Sequence, residues 1–280
     1  MGGADAGAVT GRDIVSPAGA TSLASVDGEI MLAAEATIPV TDDGLIRGDG
    51  AFEVIRVYDG TPYAFDAHLT RLERSSANLR LALDLEAVRA DAHRLLARAG
   101  TGEDHQFLRI MITRGGRRLL LTERLADTAE RARLMSIPYA PTRILDGIKS
   151  LSYAANMLAG RLAREQGFDE ALLVTPHGRV LEAPTSSLFY VVDGELLTPP
   201  LDEHILASIT RALVLEVTEA RERSCTLEEL YGADEVFLAS TAREVQTVVA
   251  IDDREFAADG PVTTRTRRTV LEAIAAELAS

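Results

Sequence analysis

The residue best suited to covalent chemistry is Lys149, the single lysine in a chain of 280 residues with 29 basic and 43 acidic side chains. A lysine amine can shed its proton and attack a carbonyl carbon, whereas a guanidinium cannot. A coding bias toward arginine accounts for the scarcity of lysine but not for the one position that keeps it. Around it stand a tyrosine four residues on (Tyr153), a carboxylate further along (Glu182) and an arginine well upstream (Arg71). Taken alone, each has an ordinary reading: core tyrosine, strand carboxylate, solvated helix arginine.

Other chemistries lack their signatures. The five histidines are His68, His93, His105, His177 and His204; no two are spaced i,i+4, and none has a cysteine partner, so a zinc site is not expected. There is no G-x-S-x-G elbow, no G-x-G-x-x-G after a strand and no G-x-x-x-x-G-K-[ST] loop. One cysteine, Cys225, rules out an internal disulfide. A net charge of −14 disfavours nucleic acid and anionic membrane as partners. No apolar run approaches the roughly 20 residues of a membrane span. The N-terminus lacks the basic-then-apolar order of a secretion signal, so a cytoplasmic protein is the expectation.

The elements that must position these groups fall into two halves. Residues 1–20, rich in Gly and Ala, read as a mobile tail. Ser22–Val26 and Glu29–Leu32 flank Asp27-Gly28, and Val54–Tyr58 and Pro62–Phe65 flank Asp59-Gly60, both as hairpins. Leu69, Leu72, Ser76 and Leu79 share a helical face with Asp66 as N-cap candidate. A second helix spans Leu85–Ala99, followed by buried strands at Phe107–Thr113 and Arg133–Pro138. This gives an N-terminal unit over 21–138, a linker over 139–147 and a C-terminal unit over 148–280. In the latter, a helix over Tyr153–Gln166 carries an apolar stripe of Ala154, Leu158 and Leu162. Strands are expected at Ala171–Val174, Leu188–Val192, Leu196–Thr198 and Glu235–Ala239, with a helix near Thr210–Glu219. Short strands mixed with few helices predict two α+β domains, with a ligand crevice between them.

The strings Lys149-Ser-Leu-Ser-Tyr153, Gly167-Phe-Asp-Glu-Ala-Leu-Leu173 and Gly178-Arg-Val-Leu-Glu182 resemble fold-type IV (class IV) pyridoxal-phosphate aminotransferases. Gly48-Asp-Gly-Ala-Phe-Glu53, His68-Leu-Thr-Arg71-Leu72, Ser208-Ile-Thr-Arg211, Ser240-Thr241 and Glu244-Val245 match in the same order, over about residues 22–260. The resemblance implies a smaller N-terminal α/β domain and a larger, pseudo-barrel-like C-terminal α/β domain. It also implies a homodimer, pyridoxal 5'-phosphate as cofactor, and an amino donor and a 2-oxo acid acceptor as substrates. Lys149 would hold the cofactor and shuttle the Cα proton. Glu182 would keep the pyridine nitrogen protonated, and Tyr153 would bond the ring's 3-oxygen. Arg71, the helix start at Ile209 and Thr210, and Ser240 and Thr241 would cradle the phosphate, with Thr185 and Ser186 as weaker contacts.

The substrate is less determined. Branched-chain enzymes usually read Phe-Glu-Gly-Ile-Arg, whereas this chain has Val54 in Phe52-Glu-Val-Ile-Arg56. The run Glu53–Gly60 is similar to that of D-amino-acid enzymes. Their usual tyrosine is Phe52 here, however, and their Arg-x-His trap is missing from Thr113-Arg-Gly-Gly-Arg-Arg-Leu119. The expectation is transamination of D-amino acids, with (R)-amines as further donors. L-branched-chain transamination and aminodeoxychorismate lysis are the alternatives. Phe52, Arg47, Arg109 and Arg117 are the candidate substrate contacts, an arginine being what a carboxylate wants.

Overall fold

The computed structural model describes residues 21–126, 129–258 and 260–279; the expected tail over 1–20 lies outside the described residues. The first unit begins with strands β1 (Leu23–Val26) and β2 (Glu29–Leu32), turned at Asp27-Gly28, where both residues have positive φ. A one-turn helix α1 (Asp43–Arg47) is capped by the Asp42 carboxylate, which accepts the Gly44 N–H at 2.7 Å. Then follow β3 (Gly50–Tyr58), β4 (Thr61–Pro62), α2 (Phe65–Leu79), α3 (Leu85–Ala99), β5 (Phe107–Thr113) and β6 (Arg118–Glu123). The six strands form an antiparallel sheet in the order β2-β1-β6-β5-β3-β4.

Alternation along β3 divides the sheet into two working faces. Ala51, Ile55 and Val57 join Leu69 and Leu72 of α2, and Val88 and Leu95 of α3, in one apolar core. Phe52 and Val54 point the other way, into a cavity. Asp66 does not cap α2: the helix starts at Phe65, Ala64 holds the cap position at φ 49°, and Asp66 pairs with Arg89 instead.

The second unit contains β7 (Arg131–Pro138), α4 (Ala154–Glu165), β8 (Glu170–Val174), β9 (Ser187–Val192), β10 (Glu195–Thr198), α5 (Ile209–Val217) and β11 (Arg221–Glu222). It continues with α6 (Leu227–Tyr231), β12 (Glu235–Ser240), β13 (Glu244–Ile251), β14 (Arg254–Glu255) and α7 (Pro261–Leu278). Its mixed sheet runs β11-β10-β9-β12-β13-β7-β8, with β14 on β13. The strand expected to close the first unit therefore belongs here: β7 pairs in parallel with β13 and β8. Its partners all lie later in the chain, which no local pattern announces.

Helix α4 reverses its expected stripe. Ala159, Gly160 and Ala163 are buried, while Leu158 and Leu162 are 50% and 40% exposed. Small residues let the helix lie close on β8, and the leucines point away. Helix α7 starts where the Glu235 carboxylate accepts the Val262 and Thr263 N–H groups at 3.0 and 2.7 Å, a cap supplied by another element and worth about 1 kcal/mol. Gly260 is required there, since a Cβ would lie 2.1 Å from the Glu235 carboxyl carbon. No helix of the described residues is long and apolar enough to cross a membrane.

Candidate active site

A cavity of about 400 Å³ is lined from both units, within the roughly 300–1,000 Å³ range of small-molecule sites. Phe52 and Val54 of β3 and Arg109 of β5 form one wall, Val54 and Arg109 being register partners. The segment expected to be a linker is another wall, through Tyr139, Pro141, Leu145, Asp146 and Gly147. His204 closes on it, its Nδ1 lying 2.7 Å from the Asp146 carboxylate.

Lys149 is fixed by its own backbone. Its carbonyl accepts the Phe52 N–H at 3.0 Å, and its N–H donates to Ser75 Oγ of α2 at 3.2 Å. The next residue, Ser150, bridges Ala51. The main chain is thus clamped between β3 and α2, leaving only the side chain to enter the cavity. There Nζ stands 4.4 Å from the centre of the Phe52 ring and 5.8 Å from that of Tyr153. Tyr153 meets Phe52 edge-on at 5.4 Å, and its hydroxyl donates to the Pro184 carbonyl. Among the described residues, Lys149 has no ion pair. Burial, helped by the charge of Arg71, lowers its ammonium to about 8.

Glu182 lies in the same cavity, and among the described residues its carboxylate accepts one hydrogen bond, from the Leu206 N–H at 3.1 Å. Burial raises it to about 7. Burial also raises the Tyr153 phenol, keeping it a neutral donor.

Arg71 is held differently. Its Nε and Nη2 each donate to the Glu53 carboxylate at 2.7 Å, while Nη1 donates to the Ala207 carbonyl at 3.0 Å. Although burial would raise Glu53, the charge and hydrogen bonds of Arg71, with His68, bring it down to about 2. An ionised carboxylate only accepts, so the His68 Nδ1, 2.7 Å from Glu53, is its donor. Burial lowers His68 below its ordinary value, so the ring is neutral.

The Ala207 contact brings the Arg71 guanidinium to the start of α5. Ser208 lines the cavity and caps α5 by accepting the Arg211 N–H. Ile209 and Thr210 bring their backbone amides to this end, but their side chains are not part of the lining. Ser240 and Thr241, at the end of β12, line the cavity, as do Thr185 and Ser186. The hydroxyls of Ser186 and Ser187 are buried without partners among the described residues.

Of the expected substrate contacts, Phe52 and Arg109 are in the lining and Arg47 and Arg117 are not. Arg47 is 68% exposed on α1 and paired with Asp43. Arg117 follows Gly116 at φ 82° and turns toward the hairpin, where it pairs with Asp27 at 2.6 Å. Glu53 and His68 appear in the sequence motifs, but no role was expected of them. A carboxylate within the apolar strand Gly-Ala-Phe-Glu-Val-Ile was the available sign of a buried ion pair.

These groups fit pyridoxal phosphate. A buried carboxylate without a cation suits a pyridinium, a lysine held below its usual range suits an aldehyde, and an arginine beside a helix start with unpartnered hydroxyls suits a phosphate.

The sequence profile of the amino-transferase class IV family matches residues 50–251. A protein of Methanocaldococcus jannaschii, provisionally named a branched-chain-amino-acid aminotransferase, is 33% identical over 253 residues, covering 82% of this chain and 88% of its own. The D-alanine aminotransferase of Listeria innocua is 29% identical, with 86% and 92% covered. Among solved structures, the fold IV-transaminase CpuTA1 of Curtobacterium pusillum superposes with a TM-score of 0.81 at 29% identity, covering 92% of this chain and 99% of that one. This chain belongs to the class IV aminotransferases, a family of pyridoxal-phosphate enzymes.

Proposed function

We propose that the enzyme transfers the amino group of a D-amino acid to a 2-oxo acid, with Arg109 taking the substrate carboxylate. The observation that carries this reading is the placement of Arg109 in the cavity wall beside Phe52 and Val54, its guanidinium carbon 5.8 Å from the centre of the Phe52 ring that also faces Lys149. Val54 fills the position where branched-chain enzymes usually keep glycine, and the D-alanine aminotransferase relative aligns along most of the chain. A second reading, L-branched-chain transamination, draws on the Methanocaldococcus relative at 33% identity.

When bound, pyridoxal phosphate supplies an aldehyde that receives the amino group and a ring that takes up electrons as the Cα–H bond breaks. The chain supplies the rest. Lys149 holds the cofactor and moves the proton at Cα, and its lowered basicity keeps a neutral amine available near neutral pH. Glu182 keeps the pyridine nitrogen protonated, and Tyr153 orients the ring's 3-oxygen. Arg71, the Ile209 and Thr210 amides, Ser240 and Thr241 take the phosphate, with Thr185 and Ser186 at its edge. The Glu53 pair leaves Arg71 charged and fixed in direction.

The family resemblance implies a homodimer, and an apolar surface on and just before α1 supports that reading: Val40, Leu45 and Ile46 are 78%, 58% and 55% exposed. Arg47, paired with Asp43 of its own chain, lies on that same helix.

The test is the half-reaction, read as loss of the cofactor's yellow colour. D-alanine, D-glutamate, (R)-1-phenylethylamine, L-leucine and L-glutamate are offered separately. D-alanine bleaches the enzyme fastest under this reading. Bleaching by L-leucine with none by D-alanine makes it a branched-chain enzyme. No bleaching by any of the five, with pyruvate released from aminodeoxychorismate, makes it a lyase.

A further inference from the structure

Arg109 reaches the cavity from the middle of β5, and a long side chain in a cavity wall needs something to set its direction. Among the described residues the guanidinium has one hydrogen-bond partner, Glu123, at the end of β6; the Nε–H donates to Oε2 at 2.9 Å. Glu123 does not sit directly opposite Arg109 across the strands. Leu121 is Arg109's register partner and Glu123 is Phe107's, so the pair reaches diagonally along one face of the sheet. The Glu123 side chain is 8% exposed and that of Arg109 22%, so the carboxylate is the inner member and the guanidinium the one open to the cavity.

The point of attachment decides what the arginine can do. A carboxylate that bridged both terminal nitrogens would occupy the edge that best matches a second carboxylate. Glu123 instead takes the Nε–H alone. Nη1 and Nη2 remain as a parallel pair of donors on the far side of the guanidinium. They belong to a residue that lines the cavity next to Phe52, whose ring lies 4.4 Å from Lys149 Nζ. Arg71 is more fully engaged: Nε and Nη2 both donate to Glu53, and Nη1 donates to the Ala207 carbonyl.

The structure assigns Glu123 as a positioning residue, which orients Arg109 through Nε so that its two terminal nitrogens meet the α-carboxylate of the amino acid and 2-oxo acid substrates. This rests on the reading of Arg109 given above and adds the residue on which it depends. Glu123 touches neither substrate nor cofactor. Its effect falls on binding of the carboxylate, common to ground and transition state, and so on KM more than on kcat.

The test compares Arg109→Ala, Glu123→Ala and Glu123→Gln in the cofactor-loaded enzyme, with the amino acid that bleaches wild type fastest. Glu123→Ala is expected to raise KM about tenfold or more, with kcat within about threefold and cofactor affinity unchanged. Glu123→Gln keeps an acceptor for Nε and is expected to recover most of the loss; being isosteric, it also serves if the alanine variant does not fold. A large KM increase in Arg109→Ala, with both Glu123 variants indistinguishable from wild type, overturns the positioning role while leaving the Arg109 reading intact. No KM change in Arg109→Ala overturns both. A Glu123 variant that loses kcat and cofactor along with KM shows a general structural role and also overturns the proposal.

Discussion

Two buried charge clusters face the same cavity and are built in opposite ways. Glu53, His68 and Arg71 are all nearly inaccessible, and each meets its partner at 2.7 Å. The carboxylate's two oxygens and three donors are matched, so Glu53 stays ionised at about 2 despite burial. Lys149 and Glu182 have opposite charges but make no ion pair with each other or with any other described residue. Burial pushes each toward its neutral form, to about 8 and about 7. The first cluster pairs its carboxylate within the chain and holds α2 against β3. The second leaves two charges without partners, an arrangement that a ligand bearing an aldehyde and a basic ring nitrogen completes.

The contrast breaks most sharply at Lys149. Lys149→Ala is expected to abolish turnover, by at least about a thousandfold at saturating cofactor, because attachment and proton transfer are lost together. In the closed cluster, Glu53→Ala leaves Arg71 buried without its carboxylate. The expected cost is about 3–5 kcal/mol of stability, read by urea unfolding of the apoprotein. A loss below about 1 kcal/mol would show that the cluster is not a structural clamp.

Glu182→Gln separates electronics from binding: cofactor is retained, while turnover falls on the order of a hundredfold. The same variant has a stability signature. The folded-state value of Glu182 lies above its ordinary 4.5, so its ionisation costs the native state progressively as pH rises from about 4.5 to about 7. Stability of the wild-type apoprotein therefore carries a loss over that window that the glutamine variant lacks. An identical pH profile in both proteins would contradict the burial of an unpaired carboxylate. The smallest effect is on pH alone. The rate of cofactor attachment to the apoprotein should rise with pH to a midpoint near 8, rather than near an ordinary lysine's 10.5, since only the neutral amine attacks.

Local periodicity was enough for elements whose burial follows size. Helix α3 and strand β5 occupy the residues expected, because large apolar side chains mark their inner faces. It misled at α4, where close packing on β8 selects Ala159, Gly160 and Ala163 and turns Leu158 outward. Strand β6 was not expected from the sequence, since Gly115-Gly116 precedes a run of arginines and leucines. The sheet membership of β7 and the capping of α7 by Glu235 depend on partners distant in sequence. At the site, motif spacing anticipated that Lys149, Tyr153, Glu182 and Arg71 share one cavity. It could not show that Glu53 occupies Arg71, that Arg47 and Arg117 point elsewhere, or that Asp146 and His204 meet at the wall. Those follow from side-chain direction and from segments that meet only in the folded chain.

The central claim is that the open half of this pairing, Lys149 beside Glu182, is where pyridoxal phosphate attaches. Borohydride reduction of the cofactor-loaded protein, followed by peptide mapping, tests it directly. Because the chain has a single lysine, the competing primary amine is the N-terminus. The expected result is bleaching of the yellow colour, with the label on the peptide that contains Lys149. Label on the N-terminal peptide, or a protein that stays colourless with added pyridoxal phosphate, would contradict the account.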